Sequence, residues 1–212
     1  PYRNTNKINA MQELFGTDSG TWYPKFYSEA TDINLGGTDL CLIPWINNSN
    51  YTASLQHIKS TRAQIALGHL EVQGFHMNKE MISDHGLQKK VFEGFDMVLS
   101  GHYHTKSSQE NITYLGTQYE ITWSDYNDPK GFHVLDLKTR ELERIVNPYK
   151  MFHKIFYNDK NKTLEQLTDH DFDSFKGTYV KVVTIHKENP YWFDVFLDKL
   201  YKSNPENLSI VD

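Results

Sequence analysis

The sequence predicts an α/β chain, α+β in its later part, and three observations lead to that class. Two short apolar runs, residues 64–67 and 97–99, have the length and residue types of buried strands, and each is closed by glycine and then histidine. A helical stretch stands between them, which is the order of a parallel βαβ unit. After Asn147-Pro148 the character changes to a short β-α-β-α succession of about the smallest size that stands alone.

Each element follows from local pattern. Residues 7–15 place Ile8, Met11 and Phe15 on one helical face. Residues 31–35 and 39–43 flank Gly36-Gly37 and predict a β-hairpin, ended by Pro44-Trp45. The loop Asn47-Asn48-Ser49-Asn50 can cap a helix over 51–60. Residues 70–86 read as a loop carrying Glu71, Gly74, His76, Asp84 and Gly86, and long loops between regular elements are often functional. A helix over 87–94 is ended by Gly94. Residues 112–115, 119–123, 132–137 and 142–146 predict strands, mostly antiparallel, with a turn over 127–131. Strands over 152–157 and 179–185 alternate with helices over 164–167 and 191–201. In the last helix Trp192, Phe196 and Leu200 fall at helical spacing, so an apolar side is expected to pack on the strand 179–185. The expected domains are residues 1–147 and 148–212.

Composition bounds the function. The chain has 212 residues, 38% hydrophobic and 23% charged, enough for one large domain or a domain with an appendage. Its net charge of −5 shows no broad basic surface for nucleic acid, although metal ions can also neutralise phosphate. Cys41 is the only cysteine, so no disulfide framework exists and a reducing, cytoplasmic compartment is expected. Nothing reaches the length of a membrane span. The start at Pro1 rather than Met reads as a cut or processed end.

The candidate site rests on Gly68-His69 and Gly101-His102-Tyr103-His104. Side chains two apart on an extended backbone share a side, so His102 and His104 should aim together past the strand end. If the two strands are parallel neighbours, three imidazoles meet at the carboxyl edge of the sheet, where such sheets bind ligands. Neutral imidazoles suit zinc, manganese or iron. On spacing alone, this reading and that of ordinary polar loop residues both stay open. His85, in Ser83-Asp84-His85-Gly86, stays open between an ordinary loop residue and an outer-shell group, and the remaining histidines read as surface or packing residues.

These motifs resemble the last two metal motifs of the calcineurin-like metallophosphoesterases. Tyr114-Leu115-Gly116-Thr117, then Asn127-Asp128-Pro129-Lys130-Gly131-Phe132, with Ile43-Pro44-Trp45 upstream, resemble the DNA double-strand-break repair nuclease subunit, particularly as found in tailed bacteriophages. The resemblance runs clearly from about Thr38 to Met151. It implies a two-sheet sandwich flanked by helices, with residues 148–212 as a capping domain that helps to orient DNA. It implies a di-manganese site, with His69 and His102 as ligands of one metal and His104 of the other. It implies DNA as substrate and a partner ATPase of the structural-maintenance-of-chromosomes type; a homodimer is expected separately, from the apolar surface that a missing amino-terminal part would leave exposed.

The family's earlier ligand motifs, of the forms Asp-x-His, Gly-Asp and Gly-Asn-His-Asp, do not occur in residues 1–212. The chain therefore reads as the carboxyl-side part of such an enzyme. No catalytic residue is assigned within it, and it is expected to hold at most one ion, weakly, and to be inactive alone. Two competing readings are a phosphodiesterase of the same superfamily acting on nucleotides or phosphoproteins, and a non-catalytic scaffold.

Overall fold

Gly36 and Gly37 both have positive φ, +57° and +84°, the backbone that a two-residue hairpin turn of matching twist demands. They join β1 (Thr31–Leu35) to β2 (Thr38–Ile43) in antiparallel register, as the sequence predicts. A computed structural model describes Phe15, residues 24–77 and residues 81–211. The expected helix over 7–15 therefore lies, but for Phe15, outside the described residues.

From β2 the sheet grows by parallel addition. Helix α1 (Tyr51–Ser60) carries the chain from β2 to β3 (Ile65–Gly68), and β4 (Met97–Ser100) follows on its other side. Next comes β6 (Ile112–Tyr114), also parallel, and at the edge β5 (Ser107–Gln109), antiparallel to β6, giving the order β1-β2-β3-β4-β6-β5. The middle strands read as near-continuous apolar runs because both faces are covered. Cys41, Ala66, Val98, Ile112 and Tyr114 pack with Ile58, Phe92 and Phe95 from the connections. A separate hairpin pairs β7 (Gly131–Leu135) with β8 (Leu142–Val146).

The chain divides into two compact units, residues 1–118 with 130–146, and residues 119–129 with 147–212. In the second, β9 (Phe152–Asn158), β10 (Tyr179–His186) and β11 (Asn207–Val211) form a parallel sheet in the order β11-β10-β9. Helix α2 (Leu164–Leu167) lies between β9 and β10, and α3 (Pro190–Lys202) between β10 and β11. Asn189 caps α3 by accepting from the Trp192 amide, with Pro190 at the first helical position. Phe193, Phe196 and Leu200 are buried against Val180 and Val182, so the helix packs on the expected strand; Phe193 rather than Trp192 is the fully buried member.

Four local expectations change. Residues 87–94 form only a short 3-10 turn, Lys89–Phe92, because so short a segment nucleates an α-helix poorly and Leu87 is already bridged to Val72. Residues 112–115 run parallel to β4 rather than in an antiparallel succession. Residues 119–123 make no strand. The Asp125 carboxylate accepts from the amides of Ile121 and Thr122 at 3.0 and 2.9 Å, and such local bonds displace a ladder. The strands β5 and β11 are additions, with no apolar alternation strong enough to mark them in the sequence. Among the described residues no helix is long and apolar enough to cross a membrane.

Candidate metal centre at the carboxyl ends of parallel strands

Ile43, Gly68 and Ser100 stand in register across β2, β3 and β4. The residues that follow them are Pro44-Trp45, His69 and Gly101-His102, so three neighbouring strand ends deliver an indole and two imidazoles to one edge. The Gly101 amide donates to the Gly68 carbonyl at 3.0 Å. The His69 and His102 rings are 5.2 Å apart, centroid to centroid, and Trp45 lies 5.9 and 5.1 Å from them. A side chain at Gly101 would place its Cβ 2.9 Å from His69 Nδ1, so the glycine makes room for the imidazole.

The loop after His69 is pinned from the neighbouring strands. Ser100 Oγ accepts from the Leu70 amide at 2.9 Å. The Tyr114 hydroxyl accepts from the Val72 amide and donates to the Leu70 carbonyl, both at 3.0 Å. Burial pushes the Tyr114 phenol well up, so it remains a neutral donor. Between those two anchors lies Glu71, whose carbonyl accepts from the Leu87 amide at 2.8 Å. Gly86, at φ +95°, packs directly on that carbonyl. An open cleft of about 240 Å³ next to Trp45 is lined also by Tyr51, Leu70, Glu71 and Leu87.

His102 has φ +90°, a region that side-chain-bearing residues rarely adopt and that clusters at functional sites. The backbone is therefore not extended here, and the alternation expected to align His102 with His104 does not operate. Tyr103 turns inward and is buried against Tyr114, 4.5 Å between rings. The His104 carbonyl accepts from Lys130 Nζ at 2.9 Å and from the Thr117 amide at 3.1 Å.

Electrostatics keep the adjacent imidazoles neutral. Burial lowers the pKa of His69, and the His102 ring lowers it further. Burial also lowers that of His102; the Glu71 carboxylate opposes this and His104 adds to it. Neutral imidazoles keep a lone pair for a metal, so the donor chemistry of this edge fits a divalent ion. The structure brings His69 and His102 together but does not gather all three histidines tightly. Among the described residues, the set of three metal-type donors lying within 4.8 Å of one another is Asp32, Cys41 and His57 instead. His85 pairs with Asp84 at 3.1 Å with both side chains largely exposed.

Sequence reasoning gave no role at this edge to Trp45, Glu71 or Tyr114. Trp45 carried a usable signal, since it follows a strand end as the histidines do. Tyr114 and the loop carrying Glu71 meet through contacts across 42 or more positions, which no local pattern reveals.

Over 205 residues the chain is 35% identical to the exonuclease subunit 1 of Enterobacteria phage T4, covering 95% of this chain and 57% of that protein. Nearly the whole of this chain is thus similar to part of that phage nuclease subunit. The chain is also 27% identical over 100 residues to a subunit of the SbcCD nuclease of Staphylococcus saprophyticus, covering 44% of this chain and 27% of that protein. These similarities bear out the resemblance to phage nuclease subunits carried by Tyr114-Leu115-Gly116-Thr117 and Asn127-Asp128-Pro129-Lys130-Gly131-Phe132. The chain spans just over half the length of the phage relative. No protein-family model matches it.

Proposed function

We propose that this chain is part of a metal-dependent DNA nuclease subunit acting in recombination, repair or replication. One observation carries the reading. Two Gly-His steps sit at register-paired ends of adjacent parallel strands, with rings 5.2 Å apart, in a chain homologous along 95% of its length to an exonuclease subunit. In this reading His69 and His102 hold one ion and His104 contributes to a second, the ions being manganese. A bound divalent ion there supplies an activated water for attack on a phosphodiester. The chain's own residues do the rest: Trp45 covers the imidazoles on one side, and Ser100 with Tyr114 fixes the loop that leaves His69.

The six-stranded sheet is, on the same proposal, one layer of a two-sheet metallophosphoesterase sandwich. Residues 1–147 belong to the nuclease domain and residues 148–212 are the capping domain. DNA is the substrate, an ATPase of the structural-maintenance-of-chromosomes type is the partner, and the subunit pairs with a second copy. Three imidazoles bring no anionic charge for a hard ion, so this edge of the chain alone holds at most one ion, weakly.

Manganese titration of the 212-residue chain tests the site. Weak uptake of about one ion or less, lost in His69→Ala and His102→Ala, is expected. In the full-length protein, His104→Ala should abolish digestion of linear duplex DNA while leaving the fold near wild-type stability. Undiminished manganese-dependent digestion would overturn the role of His104, and two tightly held ions in the chain would overturn the ligand set.

A further inference from the structure

A second group of donor atoms lies away from the histidine edge and rests on separate observations. Asp32 of β1 and Cys41 of β2 are direct cross-strand partners, so their side chains share one face of the sheet. Helix α1 covers that face with its last turn, and His57 points Nε2 to within 2.9 Å of Asp32 Oδ1. The other carboxylate oxygen accepts from Thr61 Oγ1 at 2.7 Å, just beyond the helix end. The Cys41 thiol, fully buried, hydrogen-bonds to the same carboxylate. One oxygen, one sulfur and one nitrogen thus lie within 4.8 Å of one another, on two strands and a helix.

We propose that Asp32, Cys41 and His57 form a zinc-type site, taking a divalent ion on one carboxylate oxygen, one thiolate and one imidazole nitrogen, with water in the fourth position. The donor set is the mixture of sulfur, nitrogen and oxygen that zinc prefers, and three protein ligands leave one open position. Tetrahedral bond lengths near 2.0–2.3 Å put donors roughly 3.3–3.6 Å apart, so the 2.9 Å hydrogen bond between His57 and Asp32 opens by only a few tenths of an ångström. Thr61 orients the carboxylate from behind, as hydrogen-bonded neighbours of metal ligands do. Asp32 and His57 are partly exposed, which gives the ion a way in and room for the water. On binding, the thiol proton leaves to solvent as the sulfur–metal bond forms. Burial, and then the Asp32 charge, push the Cys41 thiol up to about 12 in the metal-free chain, so proton and metal compete for the sulfur.

Cobalt titration of the 212-residue chain decides the matter, because Cys41 is its only cysteine. Wild type should develop the near-ultraviolet sulfur-to-cobalt charge-transfer absorption, and zinc should bleach it. Cys41→Ser should abolish the absorption, and His57→Ala should weaken cobalt binding at least tenfold. The double variant His69→Ala/His102→Ala should leave it intact, which separates this site from the histidine edge. Absence of the sulfur band in wild type, or full-strength binding in His57→Ala, would overturn the proposal. X-ray absorption of the zinc-loaded wild-type chain gives a reading that needs no variant: one sulfur near 2.3 Å is expected, and a shell of nitrogen and oxygen alone would overturn the site.

Discussion

The His69 and His102 imidazoles stand edge to face, their planes 77° apart, because Gly68 and Ser100 are register partners at parallel strand ends. The glycine between Ser100 and His102 is what allows the approach. Gly101→Ala would set a methyl 2.9 Å from His69 Nδ1, and the ring would have to swing aside. Metal affinity at this edge should fall by about 10–100-fold, the range seen when groups that orient a ligand are lost. The melting temperature should move little, since the clash is with a side chain near the surface. Calorimetric titration with manganese and a thermal melt check both; unchanged affinity would show that His69 is not a ligand.

Tyr114→Phe removes one hydroxyl that serves two buried backbone groups, the Val72 amide and the Leu70 carbonyl. Leaving such groups unpaired costs about 1–3 kcal/mol. Urea denaturation should register that loss. Amide exchange at Val72 should quicken, because the clamp on the loop carrying Glu71 is gone. Wild-type protection at Val72 would mean that the hydroxyl does not hold the loop.

Glu120 is a buried carboxylate in the second unit that accepts from the amides of Met151, Phe152 and Asn127 at 2.8, 2.9 and 3.2 Å. Glu120→Ala would strand all three amides, and a loss of about 2–4 kcal/mol is expected, at the upper end for point changes. Glu120→Gln keeps one acceptor oxygen and should recover part of it. Equal stability of the alanine variant and wild type in chemical denaturation would contradict this.

Asp159 should make stability depend on acid. Burial works against its charge, but the amides of Asn189 and Glu188 and the His186 ring, 2.7 Å away, hold its carboxyl down at about 2. An unfolded aspartate titrates near ~3.9. The native state therefore favours the charged form, and the stability it adds is complete above about pH 4 and is lost as pH falls toward 2. Asp159→Asn should melt below wild type at pH 7, with the gap closing between about pH 4 and 2. A gap that stays constant over that range would show that Asp159 is not the titrating group.

Much of this protein was legible in short windows. The paired glycines at 36 and 37, the helix over 51–60 and the two Gly-His steps each depend on neighbouring residues, so composition and spacing sufficed, although the Asn50 side chain bonds to Asn47 and Trp45 rather than capping that helix. The strand 179–185 and the helix packed on it were likewise visible, because a strand that buries alternate side chains and an amphipathic helix have distinct periods. The tertiary structure decided what depends on long-range pairing. It set the register that puts Trp45 beside His69 and His102, and turned His102 to positive φ so that Tyr103 is buried while His104 is carried onward. It also brought Asp32, Cys41 and His57 together from two strands and a helix. Strand β5 has no apolar signature because backbone hydrogen bonds to β6 define it, and those bonds carry no side-chain code. Local chemistry thus determined which elements form, while pairing between distant segments determined which side chains meet.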